Sequence, residues 1–95
     1  LTSINIPNSV ELLGSYAFAY CTILTSINIP DSVTSIGNNA FNNCTGLATI
    51  NCFALAAPVL GTTPFVGIAA TEIHVPVGAT GYGATYGGLT VIADL

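Results

Sequence analysis

The sequence predicts a single solenoid domain over residues 1–95: about four stacked coils, mainly short β-strands joined by helical or 3₁₀ turns. Three observations carry this expectation. Residues 1–23 (LTSINIPNSVELLGSYAFAYCTI) and 24–46 (LTSINIPDSVTSIGNNAFNNCTG) align without a gap. Leu1, Leu24 and Leu47 open successive units, so the period is 23 residues. Within each unit, apolar and polar residues alternate through T-S-I-N-I, the period-2 pattern of a strand buried on one face.

Each position in the unit has a physical role. Ile4 and Ile6 point inward, Ser3 and Asn5 outward, and Pro7 ends the strand because it has no N–H for a ladder. Pro7-Asn8-Ser9 and Pro30-Asp31-Ser32 are turn chemistry, with the proline fixing φ and the Asx side chain able to bond the backbone beyond it. Val10 and Ile36 fit a second short inward run, and Gly14 and Gly37 suit a bend that needs a permissive backbone. The A-F-x-x-C segment is too short for a stable helix and reads as a helical or 3₁₀ turn that plants Phe18 and Phe41 in the core.

The third unit, 47–69, opens in register with LATINCF and then degrades. Val59, Gly61 and Phe65 echo Ile36, Gly37 and Phe41 with one residue inserted. A terminal partial unit and closing segment occupy 70–95. Its strand TEIHVP is in register, and a Gly/Tyr/Thr-rich tail follows, read as flexible, with Tyr82 and Tyr86 covering the last coil before a strand-like LTVIADL. One unit cannot bury its own apolar side; stacked units can, each adding about 4.8 Å along the axis. The expected columns are Leu1/Leu24/Leu47, Ile4/Ile27/Ile50/Ile73 and Phe18/Phe41.

The frame L-x-x-I-x-I-P-x-x-V-x-x-I-G-x-x-A-F-x-x-C resembles the BspA-like bacterial leucine-rich repeats, and the expected fold is therefore a leucine-rich-repeat solenoid. The match is nearly full in 1–46, partial in 47–69, and confined to the strand at 70–76. The resemblance implies a secreted or surface-attached protein that mediates adhesion or protein contact. It implies no catalytic residue; no metal ligand set and no cofactor are expected from the residues themselves.

Composition narrows the partners. Hydrophobic residues make up 52% of the chain and charged residues 4%, with no Lys or Arg and a net charge of −4. A chain without a cation cannot neutralise phosphates, so nucleic acid and anionic lipid surfaces are poor partners, and no nucleic-acid partner is expected. Mean hydropathy is +0.77, yet the most apolar stretch, Cys52 to Leu60, is broken by Pro58 and falls short of the roughly 18–20 residues of a membrane span.

The candidate binding residues are the outward strand positions. Ser3, Ser26, Thr49 and Glu72 form one column, and Asn5, Asn28, Asn51 and His74 the other. On a leucine-rich repeat this face is the usual ligand surface; alternatively, the Asn column is a ladder that stabilises stacking through side-chain amides. No aromatic residue is expected on it, which weakens a carbohydrate-stacking reading. Glu72 and His74 share the face and form either a pH- or metal-sensitive patch or a solvated pair. Cys21 and Cys44 share a frame position and read as buried thiols, the alternative being a disulfide or a metal pair, for which the column offers no His or carboxylate; Cys52 takes the inward place of Ile6 and Ile29. Strand alternation sets Cys52 and His74 on opposite faces, which argues against a Cys/His nucleophile.

Two functions follow as expectations. The first is an extracellular or cell-surface recognition module that binds a protein or matrix ligand on its strand face. The alternative is a self-assembling subunit: the first coil opens at Leu1 without a polar cap, and low charge favours stacking of copies head to tail.

Overall fold

A computed structural model describes residues 3–95, and the Leu1 position in the first column lies outside the described residues. The first coil carries β1 (Ser3–Asn5) and β2 (Leu12–Leu13), the second β3 (Ser26–Ile29) and β4 (Ser35–Ile36), and the third β5 (Thr49–Cys52) and β6 (Val59–Leu60). β7 (Glu72–Val75) opens the terminal unit, and β8 (Thr85–Tyr86) and β9 (Leu89–Ala93) close it. Two sheets result, a six-stranded one in the order β1-β3-β5-β7-β9-β8 and a three-stranded one in the order β2-β4-β6. The coils stack in parallel register at the sequence period: Ser3, Ser26 and Thr49 are partners in turn, as are Asn5, Asn28, Asn51 and His74.

The described residues form about three coils, where the repeat count suggests about four. The fourth begins with β7 but is not completed. The chain turns back through an antiparallel β8–β9 hairpin, and β9 lies parallel to β7 with Ile73 opposite Val91. The closing segment is thus part of the sheet and not the flexible tail expected. Its tyrosines are buried as anticipated and pinned: the Tyr82 hydroxyl donates to the Ala54 carbonyl at 2.7 Å, and that of Tyr86 to the Pro58 carbonyl.

The core is the set of inward columns. Leu24, Leu47 and Ala70 form one; Ile27, Ile50 and Ile73 another; Ile6, Ile29, Cys52 and Val75 a third. Phe18, Phe41 and Phe65 stack with centroids 5.3 and 5.7 Å apart. The inserted residue of the third coil falls before β6, which moves Leu60, not Val59, opposite Ile36; Val59 pairs with Ser35 and is exposed.

No helix occurs among the described residues, and the A-F-x-x-C segments are chained turns instead of helical or 3₁₀ turns. Alternate amides do different work. Those of Ala17, Ala19 and Cys21 bond three residues back, to Gly14, Tyr16 and Phe18. Those of Tyr16, Phe18 and Tyr20 donate instead to Asn38, Ala40 and Asn42 of the next coil, at 2.8–3.0 Å. A helix would keep all these donors within one coil; here half of them bind the coils together. Tyr16, Tyr20, Asn39 and Asn43 adopt left-handed φ of 55–63°, which interrupts helical winding once in each turn.

Gly14 and Gly37 have no positive φ, contrary to the expectation of a permissive bend. Gly37 is needed for another reason: a Cβ there would lie 2.6 Å from the Ser15 backbone nitrogen and 2.7 Å from the Gly14 carbonyl carbon. The constraint is coil-to-coil spacing.

Candidate recognition surface

The outward face of the large sheet presents two columns with different chemistry. In the first, Ser3, Ser26 and Thr49 have hydroxyls without a hydrogen-bond partner among the described residues, and Glu72 extends the column. In the second, Asn28 Nδ2 donates to Asn5 Oδ1 at 2.8 Å and Asn51 Nδ2 to Asn28 Oδ1 at 3.0 Å. The amides therefore do form a ladder, each held in one orientation by the next. The ladder and a binding role are compatible, because every bonded amide retains a further N–H and a further carbonyl lone pair.

His74 continues the Asn column but turns from Asn51 to Asp94. Its Nδ1 lies 2.9 and 3.0 Å from the two Asp94 carboxylate oxygens, so the proton sits on Nδ1 and the carboxylate accepts. Glu72 is more distant, 3.8 Å from Nε2. Asp94 follows β9 and belongs to no repeat position, so the 23-residue frame gave no signal of this contact. Knowing that β9 pairs with β7 would have revealed it.

One edge of the face carries an open groove of about 590 Å³ at the C-terminal ends of β1, β3 and β5. It is lined by Asn5 and Asn28 from the ladder, Pro7 and Pro30 from the turns, Asp31, and Phe53. The expectation of a face without an aromatic residue therefore needs correcting: Phe53 holds the frame position of Pro7 and Pro30 and is 43% exposed.

The thiols point the other way. Cys44 is buried and donates to the Phe18 carbonyl at 2.8 Å. Cys52 is buried too, and since the Tyr82 proton is committed to Ala54, the thiol donates to the Tyr82 oxygen at 3.2 Å. Burial pushes both thiols above the ordinary value, outweighing the hydrogen bonds that would lower them, so both remain protonated near neutrality. Burial likewise raises Tyr82 and Tyr86. Cys52 and His74 lie on opposite faces of the sheet, as alternation required. All three cysteines are free, and Cys21 is half-buried against the core, not fully buried as expected. No helix among the described residues is long and apolar enough to cross a membrane.

Neither the comparison with curated proteins nor that with solved structures finds a match. A family model described as "BspA type Leucine rich repeat region (6 copies)" matches residues 1–80. The register of β1, β3, β5 and β7 and the repeated Leu, Ile and Phe columns are the structural form of that repeat, and the chain belongs to the BspA-type leucine-rich repeat family.

Proposed function

We propose that the chain is a non-catalytic recognition module of an extracellular or cell-surface protein, binding a protein or matrix ligand on its strand face. Repeats of this type are associated with surface adhesion and protein–protein interaction. The observation that carries the reading is the column of unpartnered hydroxyls at Ser3, Ser26 and Thr49, set beside an amide ladder that fixes its own geometry. A polar array held rigid before binding loses little side-chain entropy when a partner docks. The candidate contacts are Ser3, Asn5, Ser26, Asn28, Thr49, Asn51, Glu72 and His74.

The test uses a displayed library of random twelve-residue peptides selected on the wild-type chain. Thr49→Trp places a bulky ring in the middle of the face, and Val59→Trp places the same ring on the exposed side of β6. Peptides that bind the wild type and Val59→Trp but not Thr49→Trp support the strand face. Peptides indifferent to Thr49→Trp overturn it.

Self-association remains a second reading because of one feature. The first coil exposes Leu12, Tyr16, Tyr20 and Ile23 where the second has Ser35, Asn39, Asn43 and Gly46. Head-to-tail stacking is opposed by the closing hairpin, since β8 runs antiparallel and offers a copy of β1 no parallel rung. Association would therefore pair the apolar first-coil surfaces of two copies, an isologous contact. Light scattering decides: a dimer abolished by Leu12→Ser with Tyr20→Asn supports this reading, and a monomer eliminates it.

A further inference from the structure

The groove at the ends of β1, β3 and β5 has a chemistry that the rest of the face lacks. Phe53 exposes an aromatic ring at a frame position filled by proline in the other units, at Pro7, Pro30 and Pro76. Asp31, at the turn after β3, is exposed, and its carboxylate has no hydrogen-bond or ion-pair partner among the described residues. Asn5 and Asn28 add amide oxygens, each already accepting one hydrogen bond along the ladder and each keeping a second lone pair. Pro7 and Pro30 add apolar lining.

A π face, a carboxylate and amide oxygens are the groups that receive a planar cation. Guanidinium stacks on an aromatic ring while its N–H fork meets a carboxylate, which the compact ammonium of lysine cannot do at once. The chain as a whole carries −4 and no Lys or Arg, so nothing in it neutralises Asp31, and the field around the groove attracts cations. The same fact excludes a second copy of this chain as the occupant.

We infer that this groove takes an arginine side chain of a partner protein, with the guanidinium stacked on Phe53 and paired with Asp31. The inference rests on the strand-face reading and gives its partner a chemical signature: an extended segment bearing an arginine at one end of the docked stretch.

The experiment is a nuclear magnetic resonance titration of the isotope-labelled chain with N-acetyl-tetraarginine amide, with N-acetyl-tetralysine amide and maltohexaose as comparators. Saturable shifts are expected at Phe53, Asp31 and the side-chain amides of Asn5 and Asn28. The arginine peptide should bind about tenfold more weakly to Asp31→Asn and about threefold more weakly to Phe53→Leu. Both variants keep the fold readable: Asn8 occupies the place of Asp31 in the first coil, and leucine keeps an apolar side chain at 53. Unmoved groove signals, shifts identical in Asp31→Asn, or equal affinity for the lysine peptide would each overturn the arginine assignment. Shifts from maltohexaose in place of the arginine peptide would overturn it in favour of a glycan. Library peptides blocked by Thr49→Trp yet indifferent to Asp31→Asn would leave the strand face standing and remove the groove alone.

Discussion

Replacing Gly37 with alanine perturbs the coil spacing at a single point. An added Cβ would sit 2.6 Å from the Ser15 nitrogen, 2.7 Å from the Gly14 carbonyl carbon and 2.9 Å from the Leu13 oxygen, all below the 3.0 Å that real side chains respect. Every one of these atoms is backbone, so no rotamer change relieves the overlap. The coils must part instead, against the bonds from the Gly37 amide to Leu13 and from the Thr34 amide to Glu11, both 2.7 Å. Weakening two such bonds costs about 1–2 kcal/mol, and the overpacking itself about 1–3 kcal/mol. Together they amount to a destabilisation of about 2–5 kcal/mol, a large share of the roughly 5–15 kcal/mol typical of a domain. Gly14 holds the same frame position, yet a Cβ there meets nothing within 4 Å. Gly14→Ala should therefore be neutral or stabilise by up to about 1 kcal/mol, through loss of unfolded-state freedom. Urea unfolding followed by far-ultraviolet circular dichroism measures both. Equal stabilities for the two variants would refute the argument that close coil approach, and not local backbone conformation, selects glycine at 37.

Three further outcomes follow from the same geometry. Asn28→Ala removes both ladder bonds of its amide and should cost about 1–2 kcal/mol, whereas Thr49→Ala, with no side-chain bond to lose, should cost little; thermal unfolding of the pair checks this. Tyr20→Asn should stabilise the chain by about 0.5–1 kcal/mol in the same assay, since Tyr20 is exposed and holds φ of 63°, a conformation Asn tolerates better. Stability should fall as pH rises above the ordinary thiol value of 9.0. Burial raises the folded pKa of Cys44 and Cys52, so the unfolded chain releases those protons first and is favoured as pH rises through that window. The loss is at most about 1.4 kcal/mol per pH unit for each thiol. Cys52→Ala should reduce the slope above pH 9.0, and an unchanged slope would show that this thiol is not held protonated by burial.

The repeat was legible because it is nearly literal. Ile4, Ile27, Ile50 and Ile73 keep their spacing, and parallel stacking converts equal spacing in the chain directly into neighbours in space. The outward columns followed by alternation alone. What the frame could not give was anything off its period. Asp94 meets His74 because β9 returns beside β7 after 18 residues instead of 23, as in the pairing of Glu72 with Thr90. The sequence A-F-x-x-C suggests helical turns because it does not say where its amides go, and half of them go to the next coil. Gly37 was correctly singled out for the wrong reason, since a close approach between coils leaves no mark on local backbone preference. Phe53 replaces a turn proline, so strand alternation, which ends at that position, assigns it to neither face.

Partners are expected to dock on the outward face of the large sheet, where the side-chain amide signals of Asn5, Asn28 and Asn51 report directly. The measurement is the nuclear magnetic resonance footprint of the tightest library-selected peptide on the labelled chain. Docking on the face should shift those three amides together with the backbone signals of Ser26 and Thr49, and leave β2, β4 and β6 unmoved. A footprint centred on Leu12, Ser35 and Val59, with the Asn amides unchanged, would place docking on the small sheet and rule out the strand face.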